Sequence, residues 1–299
     1  MKTVAAESMG AEGVSWRALA SDFSELVKAR LTLLVLLTTL AGFFLGSEDF
    51  FNGEKLFHTL LGTAILAGAA SALNQYLERG ADARMKRTRN RPLAAGRLAA
   101  DEVVVLAVAA AIMSTLYLAA LVNVLAAAIG AATLLIYVLV YTPLKKQTPL
   151  NTLVGAIPGA LPPVLGWVAA RGSLTVESVE LFAVLFLWQM PHFLAIAWLY
   201  REDYAAGGFK MLSLNDVGGR HTATHSFLYA MMLVPVSLLA AFWLRHGIAY
   251  GLGAALCSGA FAWLAWRFFQ QSDNQRARHL FWGSLLYLPL ILGLMTLAA

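Results

Sequence analysis

The sequence is poor in charge and contains a single cysteine. Only 13% of its 299 residues are charged, whereas a soluble domain carries about 25%. The cysteine, Cys257, lies in an apolar stretch, which excludes a disulfide framework and a cysteine-based metal site. Hydrophobic residues make up 59% of the chain, so intrinsic disorder is excluded as well. The composition predicts a membrane protein.

Nine apolar runs approach the roughly 20 residues that a helix needs to cross a bilayer. Because peptide groups find no water in hydrocarbon, each run should be helical. The predicted fold class is all-α, a polytopic membrane protein with nine transmembrane helices. We expect a cytoplasmic N-terminal segment at 1–26 and a nine-helix membrane domain at 27–299, with an amphipathic lead-in helix within 15–30. The runs lie at about 27–46, 56–77, 103–121, 124–141, 149–169, 180–200, 226–244, 248–269 and 280–298, and the third and fourth should form a tight hairpin.

The basic residues are distributed unevenly between the two sides of the membrane that these runs define. Nineteen of the 22 Lys and Arg residues fall on the side of the N-terminus. By the positive-inside rule this side is cytoplasmic, and nine spans put the C-terminus outside. The net charge of +5 is therefore interpreted as a topology signal, and no nucleic-acid partner is expected.

Acidic residues are scarce, and one group of them follows the second run. Asn74, Glu78 and Asp82 are spaced i, i+4 and i+8, so on one helix they share a face. An amide oxygen and two carboxylates are hard ligands that suit Mg²⁺, together with phosphate oxygens of a substrate. A helix end anchored by interfacial charges is the alternative for these residues taken alone.

A dense cationic stretch directly follows this acidic group. It contains Arg84, Lys86, Arg87, Arg89 and Arg91. Taken alone it could be a topology determinant or a patch for lipid headgroups. Carboxylates that hold Mg²⁺ beside arginines that fork onto phosphate predict instead a site for a metal–polyphosphate complex.

A second group follows the sixth run and contains His192, Glu202 and Asp203. On one continuous helix, Asp203 would be nearly aligned with His192 and roughly 16 Å away along the axis. An intramembrane histidine is a functional candidate by default, and a packing histidine bonded across the bundle is the alternative. Glu202 and Asp203 follow Glu78 and Asp82 by 124 and 121 positions, which indicates a faint repeat with two acidic helix ends facing one cavity.

A zinc site and two other protein functions have weaker support. His221 and His225 have a spacing that can bind Zn²⁺, but no His-Glu-x-x-His motif is present, and interfacial packing is favoured. A secondary transporter would be expected to carry charges near the membrane midplane, whereas the acids here cluster at one face. A CDP-alcohol phosphotransferase would need an Asp-Gly-x-x-Ala-Arg run, which the sequence lacks.

Six motifs in order along the chain carry a resemblance to a known family. The sequence resembles the haem-farnesylating branch (protohaem IX farnesyltransferases, or haem o synthases) of the UbiA-type intramembrane prenyltransferases. The Pro-His-Phe and Glu-Asp-Tyr-Ala-Ala-Gly segments narrow the resemblance to that branch. The motifs are Asn74-x3-Glu78-x3-Asp82, Met85-Lys-Arg-Thr-Arg-Asn-Arg-Pro-Leu93, Tyr141-Thr-Pro-Leu-Lys-Lys-x-Thr148-x-x-Asn151, Gly159-Ala-x-Pro-Pro163-x-x-Gly-Trp167, Pro191-His-Phe193 and Arg201-Glu-Asp-Tyr-Ala-Ala-Gly-Gly-Phe-x-Met-Leu212.

The resemblance implies a nine-helix bundle around a lateral cavity that cytosolic loops cap. It implies Mg²⁺ as cofactor, and a second acidic motif at Asp203 in which Gly207 stands where a further acid would be expected. Catalytic and metal-binding roles would fall on Asn74, Glu78, Asp82 and Asp203. Substrate binding would fall on Arg87, Arg91, Tyr141, Lys145, Asn151, His192, Arg201 and Glu202.

The implied reaction transfers a farnesyl group from farnesyl diphosphate to a vinyl group of haem b, with addition of water, and gives haem o for haem–copper oxidases. A UbiA-type aromatic prenyltransferase that acts on a quinone precursor is the alternative. His192 would orient haem through its iron or a propionate. The implied surroundings are the inner (plasma) membrane and its lipid bilayer, with a haem a synthase or oxidase-assembly proteins as protein partners.

Overall fold

The computed structural model describes residues 15–47 and 51–299, so the first 14 residues of the predicted N-terminal segment lie outside the described residues. Within the described residues there is no strand, and nine helices are long and apolar enough to cross a membrane. The predicted all-α fold class with nine spans is confirmed. The helices are α1 (Trp16–Leu26), α2 (Ala29–Gly46), α3 (Gly53–Asp82), α4 (Ala100–Leu121), α5 (Val124–Leu135), α6 (Thr142–Leu144), α7 (Asn151–Arg171), α8 (Val176–Leu199), α9 (Arg201–Gly207), α10 (Arg220–Leu238), α11 (Gly247–Gln270) and α12 (Asn274–Ala298).

The third and fourth spans form the predicted tight hairpin. Helix α4 ends at Leu121 and α5 begins at Val124. Asn123 caps α5, because its Oδ1 accepts a hydrogen bond from the Ala126 amide at 2.7 Å. Its side-chain amide donates to the Val168 carbonyl at 2.8 Å, which ties the hairpin to α7.

The fourth span contains a π-helical segment. Between α5 and α6 the chain forms a π-helix at Ile136–Tyr141. Such segments are frequent at functional sites. Here the segment carries Tyr137 and Tyr141, whose ring centroids are 5.5 Å apart.

Helices α2 and α7 cross at backbone contact distance. A Cβ atom on Gly166 would lie 1.9 Å from the Thr39 carbonyl oxygen, and one on Gly42 would lie 1.9 Å from the Pro163 carbonyl oxygen. Small residues permit such an approach of membrane helices. The crossing packs the second half of α2 against the largely buried helix α7.

The amphipathic lead-in helix is present as α1. Lys28, which has a positive φ of 48°, links it to α2. Gln75 of α3 donates to the carbonyls of Glu25 and Leu26 at 2.8 and 2.9 Å, so it satisfies carbonyls at the helix end. A bidentate contact of Arg97 with Asp22 holds the other side of α1.

The sixth span ends close to the predicted position 200, and the helix does not continue unbroken from there to Asp203. Helix α8 stops at Leu199, Tyr200 adopts a non-helical φ and ψ, and the short helix α9 begins at Arg201. The expectation that His192 and Asp203 lie aligned on one continuous helix is therefore wrong. Gly208, at a φ of 76°, ends α9 in the left-handed conformation that glycine tolerates.

Candidate active site

The acidic face of α3 lines a small buried cavity at the side of the molecule that carries the basic loops. Asn74, Glu78 and Asp82 are 1%, 4% and 1% exposed. They line a cavity of about 70 Å³. This smaller cavity shares wall residues, among them Arg87 and Tyr141, with a larger cavity of about 770 Å³.

The Asn74 carbonyl oxygen is oriented by a chain of hydrogen bonds. The Thr142 hydroxyl donates to the Tyr137 carbonyl at 2.8 Å, so it accepts from the Asn74 amide nitrogen at 3.1 Å. The opposite side of the Asn74 amide, its Oδ1, accepts from the Lys28 ammonium at 2.7 Å.

Glu78 forms a buried ion pair with Lys145. The Lys145 Nζ lies 2.8 Å from Glu78 Oε1 and 4.5 Å from the centroid of the Tyr141 ring. Burial alone would lower the pKa of Lys145, but its interactions with Tyr141 and Glu78 outweigh burial and raise that pKa. The ion pair with Glu78 therefore favours the charged form of Lys145 in the smaller cavity.

Asp82 is bound on one oxygen and left without a partner on the other. Its Oδ2 accepts from Arg91 Nη1 at 2.8 Å. Its buried Oδ1 has no hydrogen-bond partner among the described residues. A buried carboxylate oxygen without a partner is costly, and it is the type of ligand that a hard divalent cation takes.

Lys28 belongs to this site, although the sequence analysis did not single it out. Burial, followed by repulsion from Arg91 and Lys145, lowers the pKa of Lys28 to about 7. Its ammonium reaches Asn74 only because the chain between α1 and α2 turns through the left-handed conformation. The sequence does show a lysine at the start of the first span, but it does not show the left-handed turn that brings Lys28 to Asn74.

The larger cavity extends from the acidic face between α2 and α8. Phe193 and Ile196 form part of its apolar wall, and Arg30 lies at the first turn of α2. Asn151 also lines it, and its side-chain amide donates to the carbonyls of Thr148 and Lys210 at 2.6 Å each. The predicted Tyr141, Lys145, Asn151, Arg87 and Arg91 all line one or both cavities.

The second acidic group is placed differently from the first. Asp203 accepts hydrogen bonds from the backbone amides of Lys86 and Arg87 at 3.2 and 3.3 Å. Arg201 donates to the Trp198 carbonyl and to Asn274 on α12. Glu202 is exposed. None of these three residues lines the smaller or the larger cavity.

His192 packs toward α12. Its ring stacks between Trp188 and Phe281, at centroid distances of 5.5 and 5.2 Å. Its Nδ1 lies 2.7 Å from the Ser284 hydroxyl. His192 is not part of the wall of either cavity within the described residues, so a role in orienting haem stays a prediction.

In the part of the chain that the structure describes, protein side chains alone form no conventional metal cluster. Across residues 15–47 and 51–299, no group of three or more His, Cys, Asp and Glu residues is arranged to hold a metal ion. His221 and His225 therefore belong to no such group. The acidic face of α3 offers two carboxylates and one amide oxygen, which is the donor set for a cation that also binds phosphate oxygens.

Comparison with known proteins places this geometry in a family. The model of the UbiA prenyltransferase family matches residues 35–287. The chain belongs to this family. A protein named protoheme IX farnesyltransferase from Solibacter usitatus is 45% identical over 92% of this chain and 98% of its own length. The mitochondrial protein of the same name from Arabidopsis thaliana is 41% identical over 90% of this chain and 63% of its own.

Solved structures share the fold of this chain. A digeranylgeranylglyceryl phosphate synthase superposes with a TM-score of 0.79 at 15% identity, covering 93% of this chain and 98% of that one. A UbiA homologue from Archaeoglobus fulgidus, solved with GPP and Mg²⁺, gives a TM-score of 0.68 at 14% identity over 92% and 99%. The same homologue has also been solved with Cd²⁺. The protein is a multi-pass membrane protein with the UbiA fold.

Proposed function

We propose that this protein transfers the farnesyl group of farnesyl diphosphate to a vinyl group of haem b, with addition of water, and so produces haem o. The observation that carries the proposal is the buried face of Asn74, Glu78 and Asp82, surrounded by basic side chains and open to the larger cavity. The relatives named protoheme IX farnesyltransferase, at 41% and 45% identity, favour haem over a quinone precursor as the acceptor.

Asn74, Glu78 and Asp82 would hold a divalent cation, for which we propose Mg²⁺. The unpartnered Asp82 Oδ1 and the oriented Asn74 carbonyl oxygen fit a hard cation. When bound, the cation supplies positive charge that stabilises the departing diphosphate.

The basic residues of the wall would bind the diphosphate oxygens. Arg87, Arg91 and Lys145 lie around the smaller cavity. As the allylic C–O bond breaks, its electron pair leaves with the diphosphate, and these cations stabilise the developing negative charge. An arginine can contact two phosphate oxygens at once, which also orients the leaving group.

The remaining steps require no protein nucleophile. The farnesyl cation takes the electron pair of the haem vinyl group, and a carbon–carbon bond forms. Water captures the positive charge left beside the macrocycle and releases a proton. The enclosing helices would protect the allylic cation from early hydrolysis. The larger cavity, about 770 Å³, lies within the range of about 300–1,000 Å³ for ligand sites.

The decisive experiment uses the purified protein with farnesyl diphosphate, haem b and Mg²⁺, and product analysis by mass spectrometry. Wild type should form haem o, and Asp82→Ala should form almost none. Asp101→Ala is the matched control, because Asp101 is exposed in the first turn of α4. Lack of product from wild type, or undiminished product from Asp82→Ala, would overturn the proposal.

We propose the plasma membrane as the location, with the N-terminus in the cytoplasm and the C-terminus outside. The uneven distribution of basic residues supports this orientation, which puts the diphosphate site at the cytoplasmic face. A C-terminal alkaline phosphatase fusion should be active and a C-terminal fluorescent protein fusion dark; the reverse pattern would contradict the topology. The expected protein partners, a haem a synthase or oxidase-assembly proteins, stay predictions.

A further inference from the structure

Both halves of the chain carry an acidic residue at a cytoplasmic helix end, but the structure uses the two differently. In the first half, Glu78 and Asp82 are four residues apart and both line the smaller cavity. In the second half, Asp203 is followed four residues later by Gly207, so the second carboxylate is missing. The two ends therefore differ in the ligands that they can offer.

The Asp203 carboxylate is engaged by the loop that follows α3, residues 83–99, here called the basic loop. Its Oδ1 accepts from the Lys86 amide at 3.2 Å, and its Oδ2 accepts from the Arg87 amide at 3.3 Å. Both carboxylate oxygens therefore contact the backbone of the basic loop. Hydrogen bonds to a charged acceptor are stronger than those between neutral groups.

A side chain at position 207 would crowd the side chain of Met85. A Cβ atom there would lie 2.9 Å from Met85 Sδ and 3.1 Å from Met85 Cγ. Met85 is 2% exposed and packs in a small apolar cluster with Ala81 and Phe209. The basic loop thus fills the position in which a second acidic ligand on α9 would lie.

The other contacts of α9 with the basic loop hold its arginines. Arg84 Nη2 donates to the Gly207 carbonyl at 2.9 Å. The guanidinium carbon of Arg87 lies 5.4 Å from the Tyr200 ring and 5.9 Å from the Tyr204 ring, which is the range of cation–π contacts. Helix α9 therefore fixes the backbone and the side chain of Arg87, a residue in the wall of both cavities.

We propose that Asp203 is a positioning residue that holds the basic loop and presents Arg87 to the diphosphate, and that it is not the ligand of a second metal ion. Divalent cations then bind through Asn74, Glu78 and Asp82 alone. This rests on the proposed function only in taking a metal–diphosphate complex as the ligand of the site.

The first test is tryptic cleavage of the basic loop in the full-length protein in detergent. Lys86, Arg87 and Arg89 are exposed cleavage sites. Asp203→Ala should accelerate cleavage there about tenfold or more, as expected for the loss of a charge-assisted hydrogen bond. Glu102→Ala, at an exposed acid beyond the loop in α4, should leave the rate unchanged. An unchanged rate in Asp203→Ala would overturn the positioning role.

The second test counts bound metal. Mn²⁺ is titrated by electron paramagnetic resonance in the presence of inorganic diphosphate. Asp203→Ala should keep the wild-type number of bound ions, while Asp82→Ala should bind more weakly. The loss of one bound ion in Asp203→Ala would overturn the proposal. Neither measurement requires farnesyl transfer, so absence of haem o in the assay above would count against the proposed function alone.

A second set of variants keeps the proposal testable if Asp203→Ala does not fold. Asp203→Asn retains one acceptor oxygen, so its loop should be cleaved at an intermediate rate with the metal count unchanged. Gly207→Ala should also accelerate cleavage, and the double variant with Met85→Ala, which frees the space, should restore protection. Failure of the second substitution to restore protection would refute the packing argument.

Discussion

Lys145 and Glu78 form a buried ion pair whose disruption should be measurable. Their charged atoms are 2.8 Å apart, and the side chains are 12% and 5% exposed. Lys145→Met keeps much of the aliphatic stem but leaves a buried carboxylate uncompensated. Removing one partner of such a pair costs about 3–5 kcal/mol. Because the pair lines a cavity, we expect the lower end, about 3 kcal/mol, or roughly two orders of magnitude in the unfolding equilibrium.

The assay is thermal unfolding in detergent, followed by tryptophan fluorescence in EDTA and in Mg²⁺. In EDTA the apparent Tm of Lys145→Met should lie well below that of wild type. Mg²⁺ should narrow the difference, because the variant lacks the repulsion from Lys145, so that a cation can bind at Glu78, compensate its charge and stabilise the folded state. The control is Lys146→Met, at the exposed neighbouring lysine, for which a change within about 0.5 kcal/mol is expected.

A double variant separates the ion pair from general damage. Replacing both charges, with Lys145→Met and Glu78→Gln, removes the uncompensated charge and should recover much of the lost stability. If Lys145→Met equals Lys146→Met in EDTA, or if the double variant loses the sum of the two single effects, the reasoning is refuted.

Three further predictions concern other parts of the molecule. Burial alone would raise the pKa of Asp216, but hydrogen bonds from two backbone amides at the start of α10 outweigh burial and lower this pKa. The Asp216 carboxylate therefore contributes fully to stability above about pH 4, the ordinary aspartate pKa. This contribution is lost as the pH falls through the lower pKa that Asp216 has in the folded protein. Asp216→Asn, which keeps only one of the two acceptor oxygens, should cost about 1 kcal/mol and flatten this acid dependence of the Tm. Gly166→Val should abolish the monodisperse peak in size-exclusion chromatography, whereas Gly259→Val, with open space around its Cβ position, should not. Lys28→Met, which loses the contact with Asn74 in the cavity wall, should raise the KM for farnesyl diphosphate about tenfold in steady-state kinetics.

Much of the fold could be predicted because its determinants are local. The length of an apolar run predicts a membrane span, and the short gap between the third and fourth runs predicts a hairpin. The shared face of Asn74, Glu78 and Asp82 follows from helical periodicity, and α3 continues through Gly80 to Asp82. These features need no knowledge of the partners of each helix.

The features that the sequence did not predict depend on contacts between distant segments. The end of α8 at Leu199 separates His192 from Asp203, and the helical spacing of these two residues did not show the break at Tyr200. Lys28 enters the site through one left-handed residue. The regular spacing of the two acidic groups predicted two equivalent ligands, whereas the packing of Met85 against Gly207 is part of our proposal that the second end supports the basic loop.

The balance of charge in the smaller cavity explains which ligand it suits. Two carboxylates and four basic side chains line it: Glu78 and Asp82 against Lys28, Arg87, Arg91 and Lys145. A divalent cation alone would approach carboxylates that already contact Lys145 and Arg91, and it would be repelled by both. A diphosphate alone would meet the cations but also the two acids. The metal–diphosphate complex satisfies both sets at once, because its cation takes the carboxylates while its oxygens take the lysines and arginines. We therefore infer that the site suits the metal–diphosphate complex better than either component alone.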